Sequence, residues 1–218
     1  MEELPAPPSA LADVVADAAQ RERMTHYAAL LASAGVERGL IGPREVPRLW
    51  DRHLLNCAVA VPLVPADADV IDVGSGAGLP GIVWAIARPD LRVTCLEPLQ
   101  RRATFLEEVV TALDLGDRVQ VVRARAEDIV RGRGPVTSLR ARVVTARAVA
   151  PLERLAGWTV PLVQPGGELL ALKGRSAAEE VHASATVLER LGIARVEVVE
   201  CGLGVVDPPT TVVRAVKS

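Results

Sequence analysis

Aromatic side chains are nearly missing from this 218-residue chain, which has three Trp, one Tyr and one Phe. So few rings give little support to a stacking platform for exposed bases. Most of any grip on RNA would have to come from Arg contacts to phosphate. Lysine is scarcer still, Lys173 and Lys217 being the only two among 25 basic residues. Cys57, Cys95 and Cys201 lie far apart and outside paired spacings, which supports neither a disulfide framework nor a zinc site, so no metal is expected. The three histidines, His26, His53 and His182, are equally scattered, and no Ser/His/Asp set can be assembled from them. His53, beside Leu54 and Leu55, reads either as a packed, satisfied side chain or as a site residue. No apolar run approaches the ~20 residues that cross a bilayer. The acidic start Met1-Glu2-Glu3-Leu4-Pro5 lacks the basic residues and apolar core of a signal peptide. A cytoplasmic protein with no membrane partner is expected.

A net charge of −2 argues on its face against a nucleic-acid partner. The distribution is less even. From Arg118 to Arg154, nine Arg stand against Glu127, Asp128 and Glu153, six positive charges in excess. That stretch is either solvated surface or a phosphate-binding face.

The most informative segment is Val70-Ile71-Asp72-Val73-Gly74-Ser75-Gly76-Ala77-Gly78-Leu79-Pro80-Gly81. An apolar run, four glycines within eight residues and then a helical pattern make a strand, a tight turn and a helix start, as in a nucleotide-binding βα unit. A dinucleotide fingerprint would place its third glycine at 79, where Leu79 stands, and no Gly-Lys-Ser/Thr follows for a Walker A loop. The pattern from Asp72 to Gly78 is D-x-G-x-G-x-G, which resembles the first motif of S-adenosylmethionine-dependent methyltransferases. Asp72, Gly74, Ser75, Gly76, Gly78 and Leu79 are therefore cofactor-binding candidates. A second apolar run, Val93 to Leu96, ends in Glu97, where a carboxylate can accept from both hydroxyls of a ribose.

Upstream, apolar spacing predicts one amphipathic helix over 10–34, broken at Gly35 and Gly39–Pro43, and a second over 44–61 carrying Leu49, Trp50, His53, Leu54 and Cys57. From Asp69 onward strands near 69–73, 92–97, 118–123, 142–147, 166–172, 195–200 and 211–216 alternate with helices near 79–88, 99–113, 151–161 and 176–191, and a short one follows Ala126. Such alternation means a mostly parallel sheet covered on both faces. No helix separates the last two strands, so they should pair antiparallel at one edge. The expected fold is α/β: a Rossmann-like, seven-stranded S-adenosylmethionine-dependent methyltransferase domain over 66–218, with an N-terminal helical extension over 1–65. Ligands of open α/β sheets sit at the carboxyl ends of the strands. That rule adds Arg125, Ala126 and Glu127, Arg147, and Lys173 with Gly174 to the candidates.

Several stretches resemble one family, the bacterial 16S ribosomal RNA guanine-N7 methyltransferases called RsmG or GidB. They are Arg52-His53-Leu54-Leu55, the glycine segment with its Leu79-Pro80-Gly81 ending, Arg88-Pro89, Arg101-Arg102 with Phe105-Leu106, Arg125-Ala126-Glu127, Ala146-Arg147-Ala148 and Ala171-Leu172-Lys173-Gly174. The chain departs from the family at Ala146, often Ser, and around Gly39-Leu40-Ile41, where Asn-Leu-Thr is common. The resemblance implies S-adenosylmethionine as cofactor, contacted by Gly74, Leu79, Ala126, Glu127 and Arg147. It implies 16S RNA of the small subunit as partner of a monomeric enzyme, with Arg52, His53, Arg125 and Lys173 facing the RNA and Arg147, Lys173, Arg125 and His53 as the catalytic set. Guanine N7 carries an in-plane lone pair and no proton, so it needs no general base. Alignment and tolerance of positive charge suffice.

Overall fold

The computed structural model describes residues 3–136 and 138–218. Its helices are α1 (Leu11–Val14), α2 (Ala18–Leu30), α3 (Asn56–Ala58), α4 (Gly81–Ala87), α5 (Gln100–Ala112), α6 (Ala126–Val130), α7 (Leu152–Thr159) and α8 (Ala177–Arg190). Its strands are β1 (Asp69–Val73), β2 (Arg92–Leu96), β3 (Val119–Val122), β4 (Ala141–Arg147), β5 (Val163–Lys173), β6 (Ile193–Cys201) and β7 (Thr210–Lys217). They form one sheet in the order β3-β2-β1-β4-β5-β7-β6. The first five strands run parallel, and β7 lies antiparallel between β5 and β6. Strand order reverses between β1 and β4, and a ligand crevice is expected beyond the carboxyl ends of those two strands.

The strands are apolar because helices cover both faces. On one face Tyr27, Leu31, Leu49, Trp50, Leu54, Ile82, Trp84 and Phe105 form a buried cluster; on the other, Ile71, Val144, Leu155, Leu169 and Val213 do. Four of the five aromatic residues lie in the first cluster, between the N-terminal segment and the sheet. Burying a ring of that size is worth about 2–3 kcal/mol. The polar atoms are satisfied: Trp84 Nε1 donates to Cys57 O (2.9 Å) and Trp50 Nε1 to Pro5 O (2.9 Å).

The N-terminal segment differs from its expected form. Instead of one helix over 10–34, α1 stops at Val14 and α2 begins anew at Ala18. Asp17 caps α2, its carboxylate accepting from the Gln20 amide (2.9 Å), and an extended cap residue cannot lie inside a continuous helix. Nor does Gly35 end the helical course, which passes through π-helical turns over Leu31–Gly35. The expected helix over 44–61 is a 3-10 helix (Pro43–Arg48), a π-helical segment (Leu49–Leu55) and α3 in succession. Pro47 removes one amide donor from that stretch.

Candidate functional site

The glycine loop leaves β1 at the switch point and is anchored on β2, with the Gly74 amide donating to Leu96 O (2.8 Å). Ser75 Oγ turns back to donate to Asp72 O (2.8 Å). Glu97 is 1% exposed, and its two oxygens accept from the Gly76 and Leu99 amides (2.9 Å each). The candidate ribose acid thus also fixes the loop, with one further lone pair on each oxygen. Gly76 has φ +59, and a Cβ there would meet nothing nearer than 3.8 Å. Its bare, partly exposed backbone is open to a ligand. Gly78 serves packing instead, since a Cβ would fall 2.5 Å from Ile82 Cγ1 and 2.7 Å from the Tyr27 hydroxyl. Ser75 and Leu79 are buried as well.

Asp72 is fully buried below this loop. Its Oδ2 accepts from the Gly81 amide (3.0 Å), while Oδ1 has no partner. Burial pushes the carboxyl up to about 7, against the pull of the Gly81 amide, Ser75 and Arg147. Tyr27, the only tyrosine, donates to Ala77 O at 2.6 Å and so ties α2 to the loop. Sequence reasoning placed Tyr27 on a helix face and missed this contact, which spans 50 positions.

The segment after β4 faces the loop across the switch point. Ala148 takes a left-handed φ of +53, and the Val149 side chain covers Gly74, 3.0 Å from where a Cβ would stand. Lys173 supports this segment from β5: its ammonium donates to Ala150 O (2.7 Å) and pairs with Glu180 (2.7 Å). Glu180 also accepts from the Leu152 amide (2.7 Å), which fixes the start of α7. Its side chain is only 9% exposed, and its ammonium is taken up by Ala150 O and Glu180. Its partner lies seven residues away on α8, invisible to an argument from strand ends.

A groove of about 1720 Å³ opens beside Arg147, between the Leu40–Asn56 stretch, the segment after β4 and the Val206–Thr211 turn. Arg52, His53, Arg147 and Lys173 all line it. His53 is satisfied on both ring nitrogens, by Arg147 Nη2 at Nδ1 (2.5 Å) and by Glu45 Oε2 at Nε2 (3.0 Å). Burial and the Arg147 charge hold its pKa below the ordinary value, although Glu45 opposes them. Arg147 also approaches Cys57 Sγ (3.4 Å), whose thiol burial pushes up and Arg147 pulls down. Arg125 is exposed just before α6, where Ala126 is buried and Glu127 half-buried. Glu45 was not singled out by sequence, since one acid in the first turn of the 3-10 helix Pro43–Arg48 carries no spacing signal for a partner eight residues on.

The Arg-rich stretch does not share one face. Arg118 and Arg140 line a separate cleft at the amino ends of the strands, Arg147 lines the groove at the carboxyl ends, and Arg154 stacks on Trp158 (4.9 Å). Strand and helix alternation carries the chain from one end of the sheet to the other, so neighbours in sequence part in space.

The sequence model of one family, GidB, described as rRNA small subunit methyltransferase G, matches residues 20–206. The chain belongs to the GidB family. A relative named ribosomal RNA small subunit methyltransferase G from Salinispora tropica is 63% identical over 187 residues, 86% of this chain and 77% of its own length. The protein of the same name from Streptomyces avermitilis is 56% identical over 212 residues, 97% of this chain and 86% of its own. Among solved structures, an O-methyltransferase from Bacillus cereus in complex with SAH superposes with a TM-score of 0.58 at 14% identity, covering 95% of each chain. That likeness gives this GidB chain the Rossmann-like fold of S-adenosylmethionine-dependent methyltransferases.

Proposed function

We propose that this GidB-family chain is a cytoplasmic, monomeric enzyme that methylates N7 of one guanine in the 16S RNA of the small ribosomal subunit, with S-adenosylmethionine as donor. Segment 66–218 carries the cofactor and segment 1–65 forms the substrate-facing wall, since Leu40, Glu45, Arg52 and Asn56 line the groove. The residues present fit the cofactor. Gly76 offers open backbone, Glu97 has spare lone pairs beside it, and the unpartnered Asp72 Oδ1 favours positive charge above the loop. Gly74, Gly76, Glu97 and the Ala126–Glu127 turn would hold it. When bound, S-adenosylmethionine supplies a methyl group on a sulfonium.

Everything else falls to the chain. Val149 covers Gly74 and lines the groove, an apolar surface where a base and the donor would meet. Arg147 is held from Nη1 and Nη2 by Arg52 O, Cys57 and His53, so its plane is fixed before any substrate arrives. The observation that carries the reading to N7 is His53. It is the only imidazole on the groove, and both its nitrogens are engaged, so it is not a free base. An atom with a lone pair and no proton, such as guanine N7, is a nucleophile that asks no base of such an imidazole. Labelled methyl transfer to small subunits, to naked 16S RNA and to a panel of soluble metabolites tests this. Transfer to subunits or RNA supports the reading; transfer to metabolites alone replaces it with a small-molecule methyltransferase.

A further inference from the structure

Glu45 closes a chain of three side chains along the groove wall. It comes from the 3-10 helix Pro43–Arg48, His53 from the π-helical segment Leu49–Leu55 and Arg147 from the end of β4. A guanidinium only donates, so His53 Nδ1, 2.5 Å from Arg147 Nη2, must carry no proton. The ring proton of the neutral imidazole then sits on Nε2, which donates to Glu45 Oε2 at 3.0 Å. Without that carboxylate only the Arg147 contact favours this tautomer, and Nε2 loses its acceptor. A proton on Nδ1 would face the guanidinium and push it away.

We propose that Glu45 is a positioning residue that fixes the His53 tautomer and thereby holds the Arg147 guanidinium at its place beside the reacting groups. This rests on the function proposed above. The Glu45 contact to Arg52 is a weaker account of the same residue, because it spans 3.4 Å and Arg52 is 60% exposed. His53, by contrast, is 14% exposed and touches Arg147 directly. The groups that bear on the imidazole are Glu45 and Arg52 from the extension and Arg147 from β4, with Cys57 behind Arg147. As pH falls through the lowered pKa of His53, the ring gains a second proton and loses its acceptor for Arg147. Turnover therefore has an acid limb below the ordinary histidine range. Glu45→Gln removes the charge that raises that pKa, so the limb moves to still lower pH.

The test has two readouts. Nitrogen NMR of the imidazoles needs no activity and must resolve only His26, His53 and His182. His53 is expected as the Nε2–H tautomer in the native chain and as a mixture in Glu45→Ala. In single-turnover methyl transfer, Glu45→Ala is expected to lower the rate about tenfold, the size common for a partner that orients a histidine. His53→Asn places an amide oxygen where Nδ1 accepts and removes the ring proton that Glu45 takes, so Glu45→Ala added to it should cost nothing more. A Glu45→Ala loss that persists in the His53→Asn background, or an unchanged tautomer, overturns the proposal. Unimpaired transfer by Arg147→Ala would also overturn it, since no positioned guanidinium would then be needed, whereas no transfer to RNA by the native chain would overturn the functional reading and leave the tautomer result as it stands.

Discussion

Replacing Asp72 by Asn is expected to stabilise the protein at neutral pH while weakening its hold on a cationic cofactor. Asp72 is completely buried, with one oxygen on the Gly81 amide and the other without a partner. Burial raises its carboxyl to about 7 from the ordinary 3.8. The folded state therefore binds this proton more tightly than the unfolded chain does. The resulting stability is complete below about pH 4 and is lost as the pH rises towards 7, by roughly 4 kcal/mol in all. Asn has no charge to desolvate. Its carbonyl can keep the Gly81 amide, but its NH2 group takes the unpartnered position, a cost of about 1–3 kcal/mol. The variant should thus be less stable than the native protein near pH 4 and about 1–3 kcal/mol more stable near pH 8. Urea unfolding at a series of pH values measures this, and the cofactor Kd by calorimetry gives the functional side. A stability deficit of equal size at every pH would refute the desolvation argument.

Glycine substitutions separate packing from binding. Gly78→Ala must push aside Ile82 or Tyr27 and carries φ +98, so it should cost about 3 kcal/mol or more in unfolding experiments. Gly76→Ala meets no clash and should cost only about 1 kcal/mol, yet abolish measurable cofactor binding by calorimetry. Tyr27→Phe leaves the Ala77 carbonyl unpaired and should lower stability by about 1–3 kcal/mol in urea unfolding. Glu97→Ala frees the Gly76 and Leu99 amides and should weaken cofactor affinity more than it lowers the melting temperature. In turnover assays Arg147→Ala should be more damaging than His53→Ala, because His53 acts only through Arg147.

The sheet was legible because its parallel strands are buried on both faces. Val70–Val73 and Val93–Leu96 read as apolar runs, and the turn between β1 and α4 announces itself by its glycines. The antiparallel pairing of β6 and β7 followed from the missing helix between them. The break at Asp17 was not legible, because apolar spacing continues across a cap that only its backbone angles reveal. The site was legible in its backbone and not in its partnerships. Tyr27 with Ala77, Lys173 with Ala150 and Arg147 with His53 join residues 50, 23 and 94 positions apart, and no spacing rule in one sequence connects them. The Arg excess over 118–154 was visible as charge, but the alternation of strand and helix divides it between the two ends of the sheet.

The central claim is tested most directly by mapping the methylated atom. Small subunits from cells lacking this activity would be incubated with the protein and S-adenosylmethionine, and the 16S RNA cleaved by chemistry specific for N7-methylguanine. The account predicts a single new cleavage at one guanine, absent with Arg147→Ala. Label that enters the RNA without creating such a cleavage, or that enters no RNA although the cofactor binds, would contradict it.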